Sequence, residues 1–308
     1  MIFLCGIPSE PSLGLVIERL REMAAPHVVF HQRQFAGARL DLELVDGNVR
    51  GDLHLEGGPP YHLEDFSGIY TRLMDWRLLP EVEGEPPDSV SRRHCANLHA
   101  AMMQWHDVAS GRVLNRSSEI GIACSKPLQS QLIRHHGFSI PETLVTNDPD
   151  EVVAFCNDHG RVIYKSTSWV RSVVQLVDAR DTQRLEEVRA CPVQFQQYIE
   201  GINLRVHTIG RRIFVTSIEA SAVDYRYAYL AGEEAKIAES WLCDGLANRC
   251  FSLAGAFGLE FAGIDLKVTA DGEVYCLEVN PSPAFSYYEL NTGQQIARAV
   301  AEYLVNGS

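Results

Sequence analysis

No C-x-x-C pair occurs among the eight cysteines, no apolar run approaches the length of a membrane span, and no basic leader with an apolar core opens the chain. The cysteines are scattered, several of them within apolar runs, and read as buried free thiols of a reducing cytoplasm rather than a disulfide framework. Positive charge is scarce: 27 Lys and Arg stand against 40 Asp and Glu, a formal net charge of -13. So acidic a surface repels phosphate backbones and argues against nucleic acid as the main partner. It leaves room for a local basic pocket and would welcome a basic peptide. Internal repeats and low-complexity tracts are missing. His94, His99 and His106 share a predicted helix with Cys95, but no two of these histidines are four residues apart, so no zinc site is expected there. A cytoplasmic protein that binds neither membrane nor nucleic acid is therefore expected.

What is present is an ordinary globular composition, 46% hydrophobic and 22% charged over 308 residues, enough for a substantial core divided into two or three lobes. Ile2 to Cys5 reads as a strand, Leu13 to Met23 as an amphipathic helix, and Val28 to Phe30 as a second strand. Residues 40–63 alternate apolar and polar around Asp46-Gly47, as hairpins do, and residues 80–90 read as a surface loop. A long helix through Cys95, Leu98, Met102 and Trp105 completes a small α/β lobe over residues 1–120. A helix from Lys126, strands at 140–146, 162–165 and 173–177, and a helix capped by Asp148-Pro149 suit a middle lobe over 121–192. Three strands at 193–199, 203–209 and 212–218, a helix over 242–257, a hairpin and a final helix at 291–304 suit a last lobe over 193–308.

The hairpin is the chemically informative part. Two apolar runs, Phe261 to Lys267 and Val274 to Pro283, meet across Asp271-Gly272, which would set Asp265 opposite Glu278. Asn280, two residues beyond Glu278, falls on the same face as that acid. Asp265, Glu278 and Asn280 are hard oxygen donors of the kind that share Mg²⁺ with water and a nucleotide triphosphate. The alternative is a surface hairpin with solvated acids. Against it, Glu278 sits inside Val-Tyr-Cys-Leu-Glu-Val, where an unpaired buried carboxylate would be costly.

Gly263-Ile-Asp265 followed by Leu277-Glu278-Val-Asn280-Pro-Ser-Pro resembles the magnesium-binding end of the ATP-grasp superfamily, and is most similar to its RimK-like branch, which includes graspetide macrocyclases. The resemblance implies an α/β (α+β) ATP-grasp fold with a pre-ATP-grasp N-terminal lobe, a central lobe and a C-terminal lobe, with ATP between the last two. It further implies that Lys126 and Lys165 bind phosphate and that a loop after Lys165, here containing Trp169 and Arg171, closes over the triphosphate. Gln197, Tyr198 and Ile199 would meet adenine and Asn203 the ribose, although the family more often has acids at 197 and 203. Asp224-Tyr-Arg226 resembles the Asp-aromatic-Arg element of the branch, so Arg226 would bind and stabilise the γ-phosphate, with Arg205 as a second cation on the face of Asn203. Two Mg²⁺ ions on Asp265, Glu278 and Asn280 complete the implied site.

The activity so implied is an ATP-dependent carboxylate-amine or carboxylate-hydroxyl ligase that works through an acyl-phosphate on a peptide or amino acid. A small-molecule amino-acid ligase and a regulatory nucleotide-binding protein that has lost turnover are the alternatives. Family members are often oligomeric, which leaves room for a homo-oligomer. Tyr225, Tyr227, Tyr229 and Phe285 to Tyr288 are candidates to line an acceptor pocket, and Arg72 and Arg116 to bind a carboxylate.

Overall fold

The computed structural model describes residues 1–307 apart from 167–173, 179–180, 182–183 and 221–234, and apart from the side chains of Ile122 and Ser166. Trp169, Arg171, Asp224, Tyr225, Arg226, Tyr227 and Tyr229 therefore lie outside the described residues.

The first lobe is built on a parallel sheet of β1 (Ile2–Gly6), β2 (His27–His31), β6 (Gly68–Thr71) and β7 (Arg112–Leu114), in the order β2-β1-β6-β7. Strands buried on both faces need covers on both sides. On one side the helix Val90–Val108 packs Cys95, Leu98, Met102 and Trp105 onto Phe3, Cys5 and Ile69. On the other, the helix Pro11–Glu22 buries Leu13, Val16, Ile17 and Leu20 against Ile2 and Leu4. Beside it, β3 (Arg39–Val45), β4 (Asn48–His54) and β5 (Tyr61–His62) make a small antiparallel sheet. Its first turn places Asp46 and Gly47 at φ of 51° and 79°, which an Asp-Gly pair accepts at low cost. The loop expected over 80–90 contains one helical turn, Pro80–Glu83, because proline presets its first residue and Val82 is fully buried.

The middle sheet is antiparallel, ordered β10-β9-β11-β8, from β8 (Thr143–Thr146), β9 (Val162–Ser166), β10 (Gln175–Leu176) and β11 (Val193–Gln197). The helix Pro149–His159 covers it, started by the Asp148 carboxylate accepting from the Asp150 N–H at 3.0 Å.

The last sheet has five antiparallel strands ordered β14-β13-β12-β15-β16: β12 (Ile202–Ile209), β13 (Arg212–Glu219), β14 (Lys236–Ser240), β15 (Phe261–Val268) and β16 (Val274–Asn280). Leu204, Val206, Ile264, Leu266 and Val279 turn to one side and bury the helix Asp244–Ala256 together with Ala123 and Ile133. The helix expected over 291–304 starts later, as Ile296–Asn306, and is preceded by a separate helix, Ser286–Thr292, which ends at Gly293 with φ of 77°. The helix Ile296–Asn306 lies in one shared core with Pro11–Glu22, Ile209 and Phe261, so the first and last lobes are welded together. All eight cysteines are free; Cys5, Cys95, Cys250 and Cys276 are buried, while Cys191 and Cys243 are exposed. Among the described residues no helix is long and apolar enough to cross a membrane.

Candidate active site

The polar face of the last sheet gathers most of the predicted site residues. They stand in three cross-strand rows: Asn203 with Lys267, Arg205 with Asp265 and Glu278, and His207 with Gly263 and Asn280. Strict alternation along β16 would not produce this arrangement, since Tyr275 pairs beside Lys267 and an unbroken strand would next present Leu277. The register shifts between Asp265 and Leu266: Asp265 pairs with Glu278 but Leu266 with Cys276, so Leu277 is the extra residue of a β-bulge. That one residue turns Glu278 and Asn280 toward the site while Cys276 and Val279 stay in the core.

In the middle row Arg205 Nη1 donates to Asp265 Oδ1 at 2.8 Å, with 6% of the arginine side chain exposed. Its Nε donates to His207 Nε2 at 3.4 Å. Burial, reinforced by the Arg205 charge, drives the His207 pKa well down, so the imidazole is neutral and has an acceptor to offer. Gly263 leaves room for this cation: a Cβ there would stand 2.4 Å from Arg205 Nη2. The ring of Tyr288 lies 5.6 Å from the guanidinium carbon.

Glu278 is met from outside the sheet by Lys126, the first residue of the helix Lys126–His135, whose Nζ donates to Oε1 at 2.9 Å. Burial raises the Glu278 pKa, but Lys126 first, then Lys165 and Arg205, outweigh it and hold the carboxyl below its ordinary range. The position of Lys126 depends on Gln129, one turn on and buried. Its Nε2 donates to the Ala123 and Val279 carbonyls, both at 2.8 Å, and its Oε1 accepts from the Val279 N–H at 3.0 Å. β16 is an edge strand, and this amide takes the place of a missing neighbour there.

From the middle sheet Lys165 is buried, with Nζ 3.4 Å from Gln196 Oε1. After β11 the N–H groups of Gln197 and Tyr198 donate to the Glu142 and Arg161 carbonyls, each at 2.9 Å, so those two donors are spent inside the protein. The Ile199 N–H has no such partner among the described residues. Two cations lie over the Tyr198 ring: the Arg161 guanidinium carbon at 4.1 Å from its centre and Lys267 Nζ at 4.8 Å. Burial, aided by Arg161 and opposed by Glu200, lowers the Lys267 pKa.

Lys267, Gln129, His207 and Gly263 are the residues of this region that sequence reasoning passed over. Lys267 and Gly263, two residues either side of Asp265, and His207, two beyond Arg205, shared the strand-face signal, whereas Gln129 carried none.

Three expectations are corrected. Arg116 does not offer its guanidinium to a ligand: it donates to the carbonyls of His106, Asp107, Ala109 and Gly111 and so caps the end of the helix Val90–Val108. Arg72 is likewise engaged, donating to the Ser282 and Pro283 carbonyls at 3.1 and 2.9 Å and to Glu10 Oε1 at 3.0 Å. Phe285 and Tyr288 are core residues, and of that segment Tyr287 alone faces outward substantially. Asn115 reinforces the Arg72 contact, with Nδ2 donating to the Phe261 and Pro281 carbonyls at 2.6 Å and Oδ1 accepting from the Glu260 and Phe261 N–H groups at 3.0 Å.

Two carboxylates and an amide oxygen on one sheet face are a donor set suited to a hard divalent cation. Asn280 Oδ1 already accepts from the Ser282 N–H at 2.9 Å, which orients the amide and leaves a lone pair. Lys126, Lys165 and Arg205 around these acids balance their charge.

A model of the RimK-like ATP-grasp domain matches residues 123–304. The chain is 25% identical over 237 residues to a probable alpha-L-glutamate ligase of Chromohalobacter salexigens, covering 72% of this chain and 77% of that protein. Its fold matches the macrocyclase MdnC of Microcystis aeruginosa, solved with the precursor peptide MdnA, at a TM-score of 0.81 and 25% identity over 100% of both chains. The ATP-grasp ligase PsnB, solved with a minimal precursor, Mg and ADP, matches at a TM-score of 0.77 and 25% identity over 99% of this chain and 96% of that one. Ligases of this fold use ATP and Mg²⁺. The chain belongs to the RimK-like ATP-grasp family and is an ATP-dependent ligase.

Proposed function

We propose that this ligase activates a carboxylate of a peptide and joins it to an amine or hydroxyl. The row Arg205, Asp265 and Glu278, with Lys126 reaching Glu278 from its helix, carries the reading, because it sets two acids among cations on a rigid sheet face. The peptide substrate is favoured over a free amino acid by the full-length match to two enzymes solved with precursor peptides.

In this reading ATP lies between the middle and last sheets. Ile199, through its unspent N–H, and the neighbouring Gln197 and Tyr198 border adenine; Asn203 reaches the ribose. Lys126 and Lys165 hold the phosphates, with Arg205 beside them and Arg226 assigned the γ-phosphate by its sequence element. Magnesium held by Asp265, Glu278 and Asn280, as two ions, would supply charge neutralisation at the triphosphate. A substrate carboxylate oxygen attacks the γ-phosphorus and ADP departs. The acceptor nitrogen or oxygen then attacks the acyl carbon, phosphate leaves, and the acceptor loses its proton. Arg205 is rigidly placed for this work, because Asp265, His207 and the Gly263 gap fix its guanidinium before substrate arrives. Divisions near residues 120 and 192 give the three lobes, with the helix Lys126–His135 packing across the second of them onto the last sheet.

The test is ADP release from Mg-ATP with pooled peptides, dipeptides and amino acids, products being weighed by mass spectrometry. A product lighter by one water than its precursor, or than the sum of two, is expected with a peptide. Glu278→Ala should abolish turnover and keep the thermal midpoint near that of the parent; undiminished turnover would remove Glu278 from the site.

A further inference from the structure

The first lobe holds a cleft, far in sequence from the nucleotide site, whose walls are unusual in kind. One wall is the whole of β2, His27 to His31, the edge strand of the parallel sheet; the other is the segment Leu55 to Gly58 with the Tyr61 ring. The enclosed space is about 350 Å³.

β2 presents backbone groups to this space. Ile2 N–H donates to the Pro26 carbonyl, and in a parallel ladder that bond assigns the backbone groups of Val28 and Phe30 to β1 and turns those of His27, Val29 and His31 outward. Among the described residues neither the N–H nor the C=O of Val29 has a hydrogen-bond partner. Folded proteins usually shield such an edge with a bulge, a proline or a covering loop. Here the facing loop stands off, and it does so at two consecutive glycines. Gly57, at φ of 74°, and Gly58 put no side chains into the gap.

We propose that this cleft takes an extended peptide segment, which adds to β2 as a further strand and is held mainly through its main chain. A strand needs donors and acceptors at alternate positions along one edge, and His27, Val29 and His31 supply them at that spacing. A second folded copy of the chain is a poorer occupant, because a volume of about 350 Å³ suits a few extended residues and not the edge of a whole sheet with its side chains.

The position of the cleft gives the docking a purpose, and only this part rests on the peptide-ligase reading. His31 is in register with Gly6, and Cys5 with Thr71, so the end of β2 lies at the same sheet end as Arg72. Arg72 grips Ser282 and Pro283 just beyond Asn280. Two strand spacings, about 10 Å, separate β2 from β6. A peptide seated on β2 lies one spacing further out, about 15 Å from β6, so about five extended residues would carry it to the loop that follows the candidate metal ligands. Tethering one part of a substrate there raises the local concentration of the rest.

The test uses the full chain without nucleotide and a displayed library of random short peptides, with Gly58→Trp as the blocked form. A Cβ at Gly58 meets nothing nearer than 3.7 Å, so the indole can fill the slot without strain in the backbone, and an unchanged thermal midpoint checks this. Peptides should be enriched that bind Gly58→Trp at least about tenfold more weakly and that slow amide exchange over residues 27–31. Enrichment of none, or equal binding to both forms, would overturn the inference. So would protection of that strand in the peptide-free chain that rises with protein concentration, since a second copy would then be the occupant. None of these readouts depends on turnover. A chain that binds such peptides but never releases ADP would count against the ligase assignment and leave the cleft intact.

Discussion

Replacing Gly263 by alanine adds one methyl group at the most crowded point of the candidate site. The new carbon would lie 2.4 Å from Arg205 Nη2, 2.8 Å from its Cζ and 2.6 Å from Pro283 Cβ. Restoring ordinary contact of about 3.5 Å requires both the guanidinium and the proline to retreat by about 1 Å. Neither is loose. Arg205 is tied to Asp265 at 2.8 Å and to His207 at 3.4 Å, and the buried Pro283 has its carbonyl bonded to Arg72 at 2.9 Å. Overpacking of this kind costs about 1–3 kcal/mol of stability. Moving a catalytic cation by about 1 Å costs on the order of a hundredfold in turnover. Gly263→Ala should therefore keep a folded chain with a modestly lower thermal midpoint, yet lose most of its acceptor-dependent ADP release. In an Arg205→Ala background the methyl group still meets Pro283 and should again cost stability, but it should add little further loss of turnover, because the cation it displaces is already gone. Parental turnover in Gly263→Ala, or losses that simply multiply in the double variant, would refute the assignment of Arg205 and its cradle.

Gln129→Leu keeps the volume but strands the Val279 N–H and C=O and the Ala123 carbonyl; a loss of about 2–4 kcal/mol in urea unfolding is expected, with turnover falling as Lys126 loses its seat beside Glu278. Stability should also depend on acid. Burial depresses the His106 pKa from its ordinary 6.5 to about 3, so below about pH 6.5 the unfolded chain takes up the proton first, and stability present above that pH drains away toward about pH 3. At about pH 5 this amounts to roughly 2 kcal/mol, seen as a lower urea midpoint than at neutral pH. His207, also depressed, pulls the same way. His106→Phe keeps the packing against Phe3 and Trp105 and should flatten the profile; an unaltered pH dependence would acquit His106.

Most strands were legible because their alternation is clean, and the Asp271-Gly272 turn announced the pairing of Asp265 with Glu278. The orientation of Glu278 was not legible. Alternation places Asn280 with Glu278 but is silent on which face both occupy, and that face is set by the bulge at Leu277, a residue with nothing unusual in its local sequence. Arg72 and Arg116 were misjudged for a related reason: an arginine that caps carbonyls and one that awaits a ligand look identical until the chain closes around them. Gln129 was invisible because its partners, Ala123 and Val279, lie on separate elements. The final helix starts at Ile296 and not at Asn291 because Gly293, in the left-handed region, ends a short helix just before it.

Arg72 and Asn115 belong to the first lobe, yet they fasten Pro281, Ser282 and Pro283, the residues that leave the candidate metal strand. The boundaries of this enzyme as a recognisable module and as a working machine therefore do not coincide. A chimera that grafts residues 123–304 onto a foreign front end would carry every predicted metal ligand and still lack two of the fasteners that aim them. Anyone recombining such ligases to change their substrates should move the seam to the near side of β6, or transplant those two side chains along with the graft.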